Sequence, residues 1–140
     1  MIINKTIVVT FMLLTLNAAS NIYAQPCSGM CPRMTPSGLE YMTGGIGDDE
    51  TELMKSMCSE YSLCLAFAQN KTGAYLDGVE VTITNEKSNI LMCHIISEPM
   101  LLLKLPKGKY IVSSSFEGKT KSKKIAANQK ANGVIVMYFD

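Results

Sequence analysis

Residues 76–118 read LDGVEVTITNEKSNILMCHIISEPMLLLKLPKGKYIVSSSFEG, and this stretch decides the fold. Val79, Val81 and Ile83 alternate with Glu80, Thr82 and Thr84, the two-residue period of a strand with one buried face. Leu101, Leu103 and Leu105 repeat the pattern, and Tyr110 and Val112 carry it towards Phe116. Between the last two runs stands Leu105-Pro106-Lys107-Gly108. Proline presets φ at the first central position of a β-turn, and glycine takes the left-handed conformation that closes it. Pro106 and Gly108 are therefore expected to form a structural turn between antiparallel strands.

Working outward, 62–68 opens the strand series with Leu63, Leu65 and Phe67 on one side. Asp77-Gly78 turns the chain into 79–84, and 90–96 is apolar on both faces. Strands at 100–105, 109–116, 119–126 and 133–139 complete seven, with Glu117-Gly118 as a short hairpin turn. Turn signals at this spacing argue for a mainly β, antiparallel sandwich over 62–140 with Greek-key or meander connections. Upstream, a helix is expected over 49–61. Asp49 suits the N-cap, with Glu52 completing a capping box. Leu53, Met54, Met57, Cys58 and Tyr61 form its apolar stripe. The last strand is apolar on both sides, so one N-terminal amphipathic helix packed on a sheet would cover its outer face. Residues 25–48 hold prolines and a glycine cluster and read as an irregular lead-in, with 39–43 a short edge strand or extended segment.

The chain has 140 residues, enough for one domain. Residues 1–24 read as a signal peptide: Lys5 is the positive n-region, 7–16 is apolar, and Ala24 offers the cleavage point. The apolar run is short for a bilayer span. Cleavage after Ala24 implies a periplasmic or secreted protein with no transmembrane segment left. Removing Lys5 from the 13 basic residues leaves 12 against 12 acidic ones, so the mature chain is near neutral, with acidic residues concentrated in 40–60 and lysines in 104–130, an asymmetry that bears on partners. All five cysteines lie after the cleavage point, where an oxidising compartment permits disulfides. Cys27 with Cys31 and Cys58 with Cys64 are possible pairs. Cys93 is expected to be the unpaired one, buried in a strand.

Gly78-x-x-Val81-x-Ile83, then Leu105-Pro106-x-Gly108-x-Tyr110-x-Val112 and Glu117-Gly118-Lys119, resemble the carboxypeptidase regulatory-like domain. That family has the prealbumin-like (transthyretin-like) sandwich of seven strands, and the resemblance covers roughly 62–140. Gly44-Gly45-Ile46-Gly47-Asp48-Asp49-Glu50 resembles the lead-in of small exported bacterial proteins built on that domain. The resemblance implies a binding or structural module of the cell envelope, with no cofactor and no reaction.

The chemistry-bearing residues agree with a non-catalytic reading. His94 is the single histidine and follows Cys93 directly. Neighbours on a strand point to opposite faces, so the two do not form a nucleophile and base. The prealbumin-like fold also hosts a hydrolase of 5-hydroxyisourate, whose several histidines and Tyr-Arg-Gly-Ser tail are absent here. Asp48, Asp49, Glu50 and Glu52 read as a charged helix start. Gly44, Gly45 and Gly47 read as a tight turn rather than a phosphate loop, since acidic residues follow at once.

The alternative function is soft-metal binding. Cys27, Met30, Cys31 and Met34 cluster in the lead-in, Met54, Met57 and Cys58 share a helix face, and Met92, Cys93 and His94 adjoin. Thiolate and thioether ligands select copper(I). Lys119, Lys121 and Lys123 fall on one strand face, with Lys124 beside them. They are candidates for an anionic envelope polymer, or a guard against pairing with another chain. No aromatic residues interleave with them, so nucleic acid is not an expected partner. An envelope protein remains a possible partner through loops or an exposed sheet edge.

Overall fold

The computed structural model describes residues 30–140. Strands β1 Arg33–Met34 and β2 Glu40–Gly44 precede helix α1 Asp48–Met57 and a 3-10 turn at Cys58–Glu60. Then follow β3 Leu63–Gln69, β4 Val79–Asn85, β5 Leu91–Ser97, β6 Met100–Leu103, β7 Gly108–Phe116, β8 Lys119–Ala127 and β9 Ile135–Phe139. The described residues thus hold nine strands where seven are expected. The two extra strands come from the lead-in: β2 falls on the expected strand or extended segment at 39–43, though inside the sheet with β1 at its edge, and β1 falls where irregular chain is expected. Lead-in residues before 30 lie outside the described residues. β2 forms because Tyr41, Met42 and Thr43 pair with Leu103, Leu102 and Leu101 of β6. That pairing is long-range, so the lead-in carries no local periodicity announcing it.

The strands form two sheets, ordered β1-β2-β6-β3-β9 and β5-β4-β7-β8. The expected antiparallel order fails at one place: β9 runs parallel to β3, with Leu65 opposite Ile135 and Gln69 opposite Phe139. A parallel pair needs a crossover connection, and the whole of β4 to β8 supplies it. Facing sides of the two sheets share one core, in which Leu65, Phe67, Leu101 and Leu103 meet Val79, Val81, Ile83, Tyr110 and Val112. Mainly β, two-layered and carrying one short α-helix, the described residues have the expected coarse architecture.

The helix covers the outer face of the five-stranded sheet. Met54, Cys58 and Tyr61 pack on Met42, Cys64, Ala66, Met100 and Leu102, with Val134 and Val136 at the margin. Ten residues are too few for a stable isolated helix, so this packing is what holds it. Its details differ from expectation. The helix begins at Asp48 with Gly47 as N-cap, at φ 92 and with no side-chain cap, a left-handed backbone that glycine adopts freely. The Asp49–Glu52 capping box does not form. Instead Thr51 Oγ1 donates to the carbonyls of Gly45 and Gly47 at 3.1 and 2.8 Å, and Glu52 pairs with Lys55 at 2.9 Å. Leu53 stands outside the stripe, 50% exposed, because Met54, Cys58 and Tyr61 already fill the i, i+4, i+7 face.

The turns are mixed in outcome. At Glu117-Gly118 both residues are left-handed, with φ 47 and 78, the pattern of the I′ hairpin turn. Gly108 is not left-handed; it is the first residue of β7, and β6 ends at Leu103 rather than at 105. Pro106 still shapes the connection, since its carbonyl accepts the Tyr110 hydroxyl at 2.7 Å. Ser62 anchors the same loop: its hydroxyl donates to the Leu103 and Leu105 carbonyls at 3.3 and 3.0 Å and accepts the Leu105 amide at 2.6 Å.

Candidate functional site

Four sheet edges are available for contact, and the sequence treats them differently. β1 is two residues long. β9 ends at Phe139, and Asp140 just after it is held from both sides: Asn70 Nδ2 donates to its carboxylate at 2.8 Å, and Lys119 Nζ donates to its main-chain oxygen. β8 carries the lysine row. Lys119, Lys121 and Lys123 stand opposite Phe116, Ser114 and Val112 of β7. Ser114 and Val112 are fully buried, so the row lies on the core side of the sheet, at its edge. Lys121 also reaches Asp140, at 3.7 Å, and Asp140 is more acidic than usual through its bond to Asn70 and the nearby lysine charges. Lys124, on the opposite face, pairs with Glu86 at 2.9 Å. Inward-pointing charge on an edge strand blocks pairing with another chain.

β5 is the unguarded edge. Residues 88–97, SNILMCHIIS, contain no charged side chain. Apolar on both faces, the run reads as an interior strand, yet β5 is the outermost strand of its sheet. Ile90, Leu91 and Ile96 are accordingly 61%, 57% and 57% exposed. Alternation of the β4 backbone shows which amides are free. The Asn85 amide reaches across to Ile90, just before β5, while the Glu86 amide reaches Lys109 on the β7 side. Odd residues of β4 therefore bond β5 and even ones bond β7. Their partners Cys93, Ile95 and Ser97 turn towards β4, which leaves, among the described residues, the amide groups of His94 and Ile96 facing outward, with Leu91 opposite Thr84 doing the same beyond the irregularity. Met92 falls at the irregularity beside Ile83 and Thr84, and its carbonyl accepts the Ser37 hydroxyl at 2.6 Å.

Among the described residues no helix lies over the outer face of this sheet. It presents hydroxyls in pairs: Ser113 with Ser122 at 2.7 Å, Ser115 with Thr120 at 2.6 Å, and Thr82 with His94 Nδ1 at 3.1 Å. His94 thus points outward while Cys93 points into the core, as the strand parity predicts. Cys93 is a free, buried thiol, and burial pushes its pKa up to about 11, away from the thiolate form that nucleophiles and metal ligands need.

Among the described residues the soft-metal candidates are dispersed. Cys27 lies outside the described residues, and Cys31 is disulfide-bonded. Met34 is 63% exposed, whereas Met30 packs against the helix layer. Cys58 and Cys64 form a disulfide with Cα atoms 5.5 Å apart, inside the layer that also buries Met54. Met57 sits at the margin of that layer, and Met92 against the main core. Among the described residues no three His, Cys, Asp or Glu side chains converge to hold a metal ion, and no helix is long and apolar enough to cross a membrane. The expected signal peptide lies outside the described residues. Sequence reasoning named Lys119, Lys121 and Lys123 and passed over Ile90, Leu91 and Ile96; the signal available was the ten-residue gap in charge. In comparisons with known proteins, no family model matches this chain and no curated protein matches it.

Proposed function

We propose that this protein is a non-catalytic binding or structural module that acts in the bacterial envelope after export, built on a prealbumin-like Greek-key sandwich. Supporting the fold assignment are the strand orders β6-β3-β9 and β5-β4-β7-β8, with seven strands following Ser62. Support for export comes from the sequence before Gln25 and from disulfides at Cys31, Cys58 and Cys64. The observation that carries the binding role is the β5 edge, with outward amides at His94 and Ile96 and no charge to repel a strand. A partner adds a strand there: main-chain hydrogen bonds supply affinity and the exposed isoleucine supplies selectivity. The lysine row serves the opposite purpose and keeps β8 unpaired. Affinity capture from envelope extract, run with the wild-type chain and with Ile96→Lys, tests this reading. Partners should be lost with Ile96→Lys, and amide exchange at His94 and Ile96 should slow in the wild-type complex. Identical capture by both chains, with protection elsewhere, would overturn it.

A further inference from the structure

We propose that the strand received by β5 is the β5 of a second copy, paired antiparallel about a two-fold axis through Ile95. This rests on the reading of β5 as the contact edge. The backbone sets the register. Outward amides occur at His94 and Ile96, while the Met92 carbonyl is taken by Ser37 and the Glu98 amide by Thr43 Oγ1 at 2.7 Å. Among the described residues, three residues of open edge therefore lie between these two closed points. An antiparallel pair must match outward amides with outward amides. Centring on Ile95 places His94 opposite the partner's Ile96, and Ile96 opposite the partner's His94. Every free amide group in the window is then bonded. Centring on His94 would instead match Ile96 with the already engaged Met92.

The side chains suit the same symmetry. Ile95 is buried in its own core, so it presents only backbone at the axis. On the outer face Ile96, 57% exposed, covers the imidazole opposite it. Residues 88–97 carry no charge, so a copy meets a copy without repulsion, whereas an edge like β8 would bring lysines together. The result is one continuous eight-strand layer, with both guarded β8 edges at its far ends. Growth stops at the dimer because β5 is used up and β8 is closed.

Sedimentation equilibrium of the purified protein tests the proposal. The apparent mass should double with rising concentration. Ile96→Lys should hold the chain monomeric with unchanged circular dichroism and melting, and Lys123→Gln should still dimerise. Register is tested by mild oxidation of single-cysteine variants, since directly opposite Cβ atoms lie about 5 Å apart and diagonal ones about 7–8 Å. A mixture of His94→Cys and Ile96→Cys should cross-link as the mixed dimer more than either alone. Mass that stays monomeric throughout overturns self-pairing, as does dimerisation insensitive to Ile96→Lys; preferential linkage of His94→Cys to itself overturns the register. If the chain is monomeric yet loses a captured envelope protein on Ile96→Lys, the edge still binds and only the identity of its occupant is wrong.

Discussion

At Cys93, burial governs reactivity. The folded thiol titrates near 11 rather than near its ordinary value of 9, because the core cannot solvate a thiolate. The group is neutral in both states below pH 9, so its contribution to stability is intact there. Above pH 9 the unfolded thiol ionises first, and stability falls as pH rises through 11. Urea midpoints measured from pH 8 to 11 should therefore decline in wild type by more than in Cys93→Ala. Iodoacetamide at pH 8 should label the native protein slowly and the unfolded protein fast. Tyr110 and Ser62 show the complementary case of buried polar groups with partners. Tyr110→Phe removes one bond to Pro106 and should cost about 1 kcal/mol. Ser62→Ala strands the Leu105 amide and the Leu105 carbonyl, while the Leu103 carbonyl keeps the Ser62 amide, and should cost about 1–3 kcal/mol by chemical denaturation. Neither serine nor tyrosine is marked as special by its neighbours in sequence; its value comes from groups 41 to 43 residues away or across a bend.

At the scale of elements, the helix is the clearest case of local form fixed by tertiary contact. Its apolar stripe is legible, and so is the need to cover an outer sheet face. The buried member is Met54 and the exposed one Leu53, a choice made by the helix rotation on Met42, Met100 and Leu102. Met54→Ala should cost about 2–5 kcal/mol, whereas Leu53→Ala should stay within about 0.5 kcal/mol; thermal melts of the pair check this. The Cys58–Cys64 bridge, six residues apart, ties the helix end to β3. On loop-closure entropy its reduction should cost about 2 kcal/mol, seen as a lower melting temperature in reductant. The capping box fails because Thr51, reaching back to Gly45 and Gly47, starts the helix one residue early.

On the scale of the whole molecule, the contrast between β5 and β8 carries the proposed pairing of two copies. Replacing Lys119, Lys121 and Lys123 by threonine removes the charge that guards β8 and leaves both edges of one sheet open. Light scattering should then show species beyond the dimer, growing with concentration. Adding Ile96→Lys to that triple variant should cut the growth back. The free energy of folding should change little in either, since exposed ion pairs contribute about 0–1 kcal/mol.

Alternation and turn residues in 62–140, with the amphipathic stripe before them, determined by themselves a mainly β chain carrying one covering helix. Those signals are local, because a strand must bury alternate side chains whatever its neighbours are. Tertiary structure alone decided which strands lie at the edges, that β9 runs parallel to β3, and that the lead-in adds β1 and sets β2 between β1 and β6. Such choices depend on backbone pairing between distant residues, and hydrogen bonds between main chains leave no mark on side-chain periodicity. The apolar run of β5 shows the difference: its composition is that of an interior strand, and only its place outside β4 makes it a surface.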